Sequence, residues 1–191
     1  MILASAAEMQ NLDRAAIEQY GIVGTVLMEN AGRCTFDLIE STFGSVRGKL
    51  VPVFVGPGNN GGDGLVIARY VHQNGGHARL IYLTDPDKLK GDAAVNYEVV
   101  VKFGISGSVA VDSGALEKAV ATLQQDSIKY PILTIVDALL GTGLKRHLKG
   151  VFLDAVRRIN TLKANLNVPV AAVDIPTGLD ADTGQVQGDC I

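Results

Sequence analysis

Cysteine is scarce in this chain: Cys34 and Cys190 stand apart in 191 residues, with no CxxC or CxxH spacing. That excludes a local zinc framework and a disulfide scaffold, and it fits a reducing compartment. The three histidines give no ground for arguing a Ser-His-Asp arrangement, and neither cysteine lies in an activating motif, so Cys34 reads as a core residue and Cys190 as incidental. Blocks of like charge are missing too. Seventeen Lys and Arg against 20 Asp and Glu leave a net charge of −3, without the clustered cations that neutralise nucleic-acid phosphates. No run approaches the roughly 18 apolar residues of a membrane span, and the opening MILASAAEMQ lacks a basic segment followed by an apolar core. The chain reads as cytoplasmic. It contains no internal repeat, low-complexity tract or linker, so residues 1–191 are expected to form a single domain. The last residues, Gly188-Asp189-Cys190-Ile191, follow a turn-rich segment without a closing element, and continuation of the natural polypeptide is expected.

What is present is a globular composition, 47% hydrophobic and 19% charged, in a chain long enough to bury roughly 70% of its unfolded surface. Ser5-Ala6-Ala7-Glu8 is a capping-box pattern that opens a first helix, with Gly21 closing it. A second helix is predicted from about Thr25 to Gly44, with Leu27, Ala31, Cys34, Leu38 and Ile39 forming its apolar face. From Lys49 the pattern becomes an alternation of apolar strands (KLVPVFV, ARLIYLT, SGSVAV, PILTIVDAL, PVAAVDIP) with segments of helical period. Unbroken apolar strands alternating with helices predict an α/β fold, a mainly parallel sheet covered on both faces in a three-layer α/β/α sandwich.

In such a sheet ligands bind beyond the carboxyl ends of the strands, where three loops carry candidates. The first is Gly56-Pro57-Gly58-Asn59-Asn60-Gly61-Gly62-Asp63-Gly64, five glycines in nine residues between a strand and a helix. Its backbone can approach an anion closely, and the following helix offers free N–H groups, so a phosphate or pyrophosphate is the natural guest. Gly56, Gly58 and Gly61 also satisfy GxGxxG, with Asp85 placed 24 residues later for a ribose. The acidic GGDG departs from the small residues of a dinucleotide fingerprint, and GxxxxGK[ST] is absent. The second loop follows Asp137 with two glycines and the cations Lys145 and Arg146 before His147. The third follows Asp174 at the end of an apolar strand, where Pro176-Thr177-Gly178 turns the chain and Asp180 and Asp182 stabilise turns. Asp137 and Asp174 are expected at equivalent places on two parallel strands. Asn60, Asp137 and Thr177 form a hard oxygen set for an alkali or alkaline-earth ion, unsuited to zinc.

MENAG at 28–32, GPGNNGGDGLVIARY at 56–70, VDALLGTGL at 136–144 and VDIPTGLDADTG at 173–184 together resemble the NAD(P)H-hydrate epimerases, the YjeF N-terminal domain family. The resemblance implies a Rossmann-like sandwich, usually a homodimer, that interconverts the R and S epimers of the hydrated cofactors NADHX and NADPHX. It also implies a partner dehydratase, which acts on the S form and in many bacterial proteins shares the polypeptide. Carried over by residue, it implies substrate binding by Asn59, Asn60, Gly61, Gly62 and Asp63. A second binding loop runs through Gly141, Thr142, Gly143, Leu144, Lys145, Arg146 and His147, and Asp174 supplies a binding carboxylate. A K+ ion is implied at Asn60, Asp137 and Thr177. Thr177 stands where the family commonly has serine, which keeps the hydroxyl and adds a methyl. Epimerisation breaks and remakes a bond at a carbinolamine carbon, and Asp174 is the candidate proton shuttle. Two other readings compete: a binding or dimerisation module on the same fold, which has no need of Asn60, Asp63, Asp137 and Asp174 together, and an NAD-dependent dehydrogenase resting on GxGxxG and Asp85.

Overall fold

The computed structural model of the protein describes residues 4–144 and 146–191. Two helices come first, α1 (Ala6–Glu18) and α2 (Gly24–Phe43), followed by β1 (Leu50–Val55), α3 (Asn59–Gln73) and β2 (His77–Tyr82). A 3-10 turn at Pro86–Lys88 leads to α4 (Gly91–Lys102), β3 (Gly107–Val109), α5 (Ser113–Lys129), β4 (Ile135–Ala138), α6 (Gly150–Leu166) and β5 (Val170–Ala172). Every strand pairing is parallel and the order is β3-β2-β1-β4-β5, the expected fold. The Ser5–Glu8 capping box forms in both directions.

Period-2 alternation sorts the core. Val51, Val53 and Val55 point to the face covered by Phe36 and Ile39 of α2, Leu65 and Ile67 of α3 and Val100 of α4. Leu50 and Phe54 point to the other face, beneath Leu116 and Leu123 of α5 and Ile159 of α6. The chain steps outward from β1 to β3 and then returns to lay β4 on the opposite side of β1. The crossovers place α3 and α4 on one face and α5 and α6 on the other. The order reverses between β1 and β4, and the loops leaving these strands diverge to open a crevice there.

The predicted apolar face of α2 is corrected. Its buried residues are Met28, Gly32, Phe36 and Ile39, whereas Ala31, Cys34 and Leu38 are exposed. Cys34 is thus a surface thiol and no part of the core. The inward stripe includes Gly32 because α3 crosses there so closely that a side chain would meet Val66. Helix α1 is nearly detached: Ala6 is its one buried residue, and the Ala6 N–H donates to Asp182 Oδ1 at 2.9 Å.

Candidate active site at the strand switch point

The glycine loop runs straight from β1 into α3 and lies against the end of β4. The Gly56 N–H donates to the Ala138 carbonyl at 3.0 Å, and a Cβ on Gly56 would overlap the carbonyl of Leu139, so only glycine permits this approach. Asn60, in the first turn of α3, has both amide atoms buried without a hydrogen-bond partner. Leaving such groups unpaired costs about 1–3 kcal/mol each, which marks the position as one completed by a ligand.

Asp137 lies inside β4, fully buried and paired in register with Phe54 and Ala172. Its Oδ1 accepts from the Thr177 hydroxyl at 2.8 Å and the Leu139 N–H at 3.2 Å, while Oδ2 accepts from the Thr177 N–H at 2.8 Å. Burial pushes this carboxyl above its ordinary range, against the lowering effect of those bonds. The Thr177 hydroxyl also accepts from the Leu140 N–H at 3.1 Å. A buried amide oxygen, a hydroxyl and one carboxylate are hard donors that fit a monovalent cation. Among the described residues no group of three or more His, Cys, Asp and Glu is placed to hold a metal.

Asp174 is not equivalent to Asp137. It lies two residues beyond β5, exposed, and its Oδ2 accepts from the Thr142 N–H at 2.7 Å. Gly141 makes that bond possible, since a Cβ there would overlap the same oxygen. Asp63, on the second turn of α3, is pushed from 3.8 to about 7, first by burial and then by the charges of Asp174 and Asp13. The strand-end loops therefore bring Asp63, Gly141, Thr142 and Asp174 to one edge.

Two cavities flank the loop. A cleft of about 760 Å³ is lined by Pro57, Leu144, Arg146, His147, Lys149 and Phe152, a size that holds a nucleotide-like ligand. A smaller one, about 170 Å³, is lined by Asn59 and Asp63 together with Asp13, Met28 and Asp92, and it admits only a small group. Arg146 and His147 are exposed at the cleft, as the second loop requires. Gly61 and Gly62 are buried in α3, Gly143 is exposed, and Lys145 lies outside the described residues. Asp13, Asp92, Lys149 and Phe152 escaped the sequence reading, because they come from α1, α4 and the start of α6 and no local motif joins them to the glycine loop. Asp85 caps the 3-10 turn by accepting from the Asp87 N–H at 3.2 Å, a structural role in place of the ribose contact of the dehydrogenase reading. Asp180 accepts from the Thr183 N–H at 2.9 Å, the expected turn, while Asp182 reaches α1.

This architecture defines the class, a Rossmann-like α/β domain with a crevice at the strand switch point. Residues 24–191 match the family described as YjeF-related protein N-terminus, and the chain belongs to that family. It is 40% identical over 193 residues to the bifunctional NAD(P)H-hydrate repair enzyme Nnr of Moorella thermoacetica, covering 100% of this chain and 34% of the relative. It is 34% identical to the NAD(P)H-hydrate epimerase of Limosilactobacillus reuteri, covering 99% and 80% of the two chains. The crystal structure of yeast ynu0, YNL200c, superposes with a TM-score of 0.82 at 26% identity, covering 100% of this chain and 77% of that one. The chain spans about a third of the length of the bifunctional relatives it matches.

Proposed function

We propose that the chain is an isomerase, an NAD(P)H-hydrate epimerase that interconverts the R and S forms of NADHX and NADPHX. The observation that carries this reading is the exposed Asp174 carboxylate, fixed by the Thr142 N–H at 2.7 Å beside Asp63 at the strand switch point. Relatives named NAD(P)H-hydrate epimerase, matched over 75% and 80% of their lengths, support it. The 760 Å³ cleft takes the nucleotide part of the substrate, with Arg146 and Lys149 available to its phosphates. The hydrated ring then reaches Asp174, which moves a proton at the carbinolamine carbon.

Asn60, Asp137 and Thr177 would hold K+. The ion supplies positive charge that offsets the buried Asp137 carboxylate, and the orphaned Asn60 amide is the feature that asks for it. The substrate's further partner is a dehydratase acting on the S form, a reading supported by relatives named as bifunctional repair enzymes. The protein works in the cytoplasm as a homodimer. Two free cysteines fit the first, and among the described residues no helix is long and apolar enough to cross a membrane. The exposed Met9, Leu12 and Ile17 of α1 and Tyr20 and Val23 of the connection to α2 support a second copy as the partner.

The test is the appearance of S-NADHX from purified R-NADHX in potassium buffer, followed by chromatography against a protein-free control. Acceleration by the protein that weakens when sodium replaces potassium is the expected result. A folded protein that adds nothing to the spontaneous rate overturns the reading and leaves a binding module.

A further inference from the structure

The large cleft offers more than cations. Part of its wall is apolar, built by Leu140, Leu144, Leu148 and Phe152, which pack together beside the start of α6. Phe152 belongs to the first turn of that helix and is half-buried. Gln187 enters the same cleft from the returning chain. Its backbone is fixed on both sides: the N–H donates to the Gly178 carbonyl at 2.7 Å, and the carbonyl accepts from the Leu148 N–H at 3.0 Å. Gly178, at φ +104°, allows that return, because a Cβ there would overlap the Asp189 carbonyl. The Gln187 side-chain amide, by contrast, has no hydrogen-bond partner among the described residues. The cleft therefore sets one neutral donor–acceptor pair, on a fixed backbone, beside a flat aromatic ring and a leucine wall, and no Asp or Glu is among the described residues lining it.

Resting on the epimerase reading above, we infer that this part of the cleft is an adenine site and that Gln187 is its specificity-determining residue. The reacting ring must reach Asp174, which is not among the cleft's lining residues, so the cleft holds the half of the dinucleotide that does not react. That half ends in adenine, a flat and neutral base. Phe152 offers it a ring face for stacking, and the leucines keep water from its edges. On the N6/N7 edge of adenine an exocyclic amine donates and a ring nitrogen accepts, a pattern that a glutamine amide meets with its Oε1 and Nε2. Arg146 and Lys149, lining the same cleft, then fall to the diphosphate between adenosine and the nicotinamide half. Hypoxanthine carries a carbonyl oxygen where adenine has the amine, so Oε1 would face an acceptor and the pairing would break.

The experiment follows R-to-S conversion of three hydrates: NADHX, its hypoxanthine analogue, and the hydrate of reduced nicotinamide mononucleotide, which lacks the adenosine half. Wild type is compared with Gln187→Leu and Phe152→Leu, each checked by a thermal melt. Wild type should show a KM about 10-fold lower for NADHX than for the hypoxanthine analogue. Gln187→Leu should raise the KM for NADHX about 10-fold, with the loss in KM rather than kcat, and should no longer prefer one base to the other. Phe152→Leu should weaken both dinucleotides alike, by about 10-fold in KM, since every base has a face to stack. In either variant the advantage of NADHX over the mononucleotide hydrate in kcat/KM should shrink by the same factor. A wild type that treats the two bases alike overturns the assignment while leaving the epimerase intact. So do variants that lose as much on the mononucleotide hydrate as on NADHX, and so does a Gln187→Leu protein that unfolds, since the residue would then be structural. If wild type converts none of the hydrates, the epimerase reading fails, and calorimetry with AMP and IMP on the same preparations decides the adenine site by itself. Tighter binding of AMP, lost in Gln187→Leu, upholds it; equal binding of the two overturns it.

Discussion

Gly141 and Thr177 carry the site's geometry without contributing its charge. A Cβ at Gly141 would overlap the Asp174 carboxylate, so Gly141→Ala yields a folded protein in which Asp174 is displaced. A shift near 1 Å costs about 10²-fold in turnover, and kcat/KM measured beside an unchanged melting curve checks it. Thr177→Val removes the hydroxyl that donates to Asp137 and accepts from the Leu140 N–H, stranding buried groups at about 1–3 kcal/mol each. Urea unfolding reads that loss, and Thr177→Ser should restore most of it. Asp63 sets a pH dependence of stability. Its carboxyl rises from 3.8 in the unfolded chain to about 7, so across that window the folded state binds more protons. Stability therefore falls as pH increases through the window, and the loss is complete above about 7. Asp63→Asn should reduce this decline, seen as a smaller difference between the urea midpoints at about pH 5 and about pH 8 than in wild type.

At the scale of elements, strands and helices were legible from β1 onward because β-branched runs and helical periods alternate without ambiguity. Helix α2 was not. It is apolar on two neighbouring stripes, and the choice between them was made by α3, which needs Gly32 for its close crossing and therefore turns Leu38 and Cys34 outward. Periodicity counts apolar side chains and cannot register a position chosen for having none. Cys34 should accordingly react with a thiol reagent in the native protein as fast as an exposed cysteine does, and slow labelling would place that stripe under a partner. Helix α1 has one buried residue and a capping box, too little to hold 13 residues in a helix on its own. Its exposed Leu12, with Tyr20 just past its end, makes it the element to alter: on the proposed homodimer, Leu12→Asp should convert dimer to monomer in sedimentation while leaving the unfolding transition of the sheet in place.

Across the whole molecule, the site is a product of strand order. The reversal between β1 and β4 opens the crevice, and three motifs far apart in sequence enter it because each follows a strand. Those motifs were legible because Gly, Asn, Asp and Thr at strand ends have few purposes besides turning and binding. Asp137 and Asp174 appeared alike in sequence, both carboxylates after apolar runs, yet register buries one in β4 and leaves the other exposed beyond β5. The small acidic cavity was illegible, since Asp13, Asp63 and Asp92 meet only through the packing of α1, α3 and α4. The central claim is that this strand-edge site epimerises a hydrated nicotinamide cofactor through Asp174. The most direct measurement is the rate of R-to-S NADHX conversion in potassium buffer by wild type and by Asp174→Ala at equal concentration. The account predicts acceleration over the protein-free rate by wild type and a loss of about 10²-fold or more in the variant. Equal rates for the two folded proteins would contradict it.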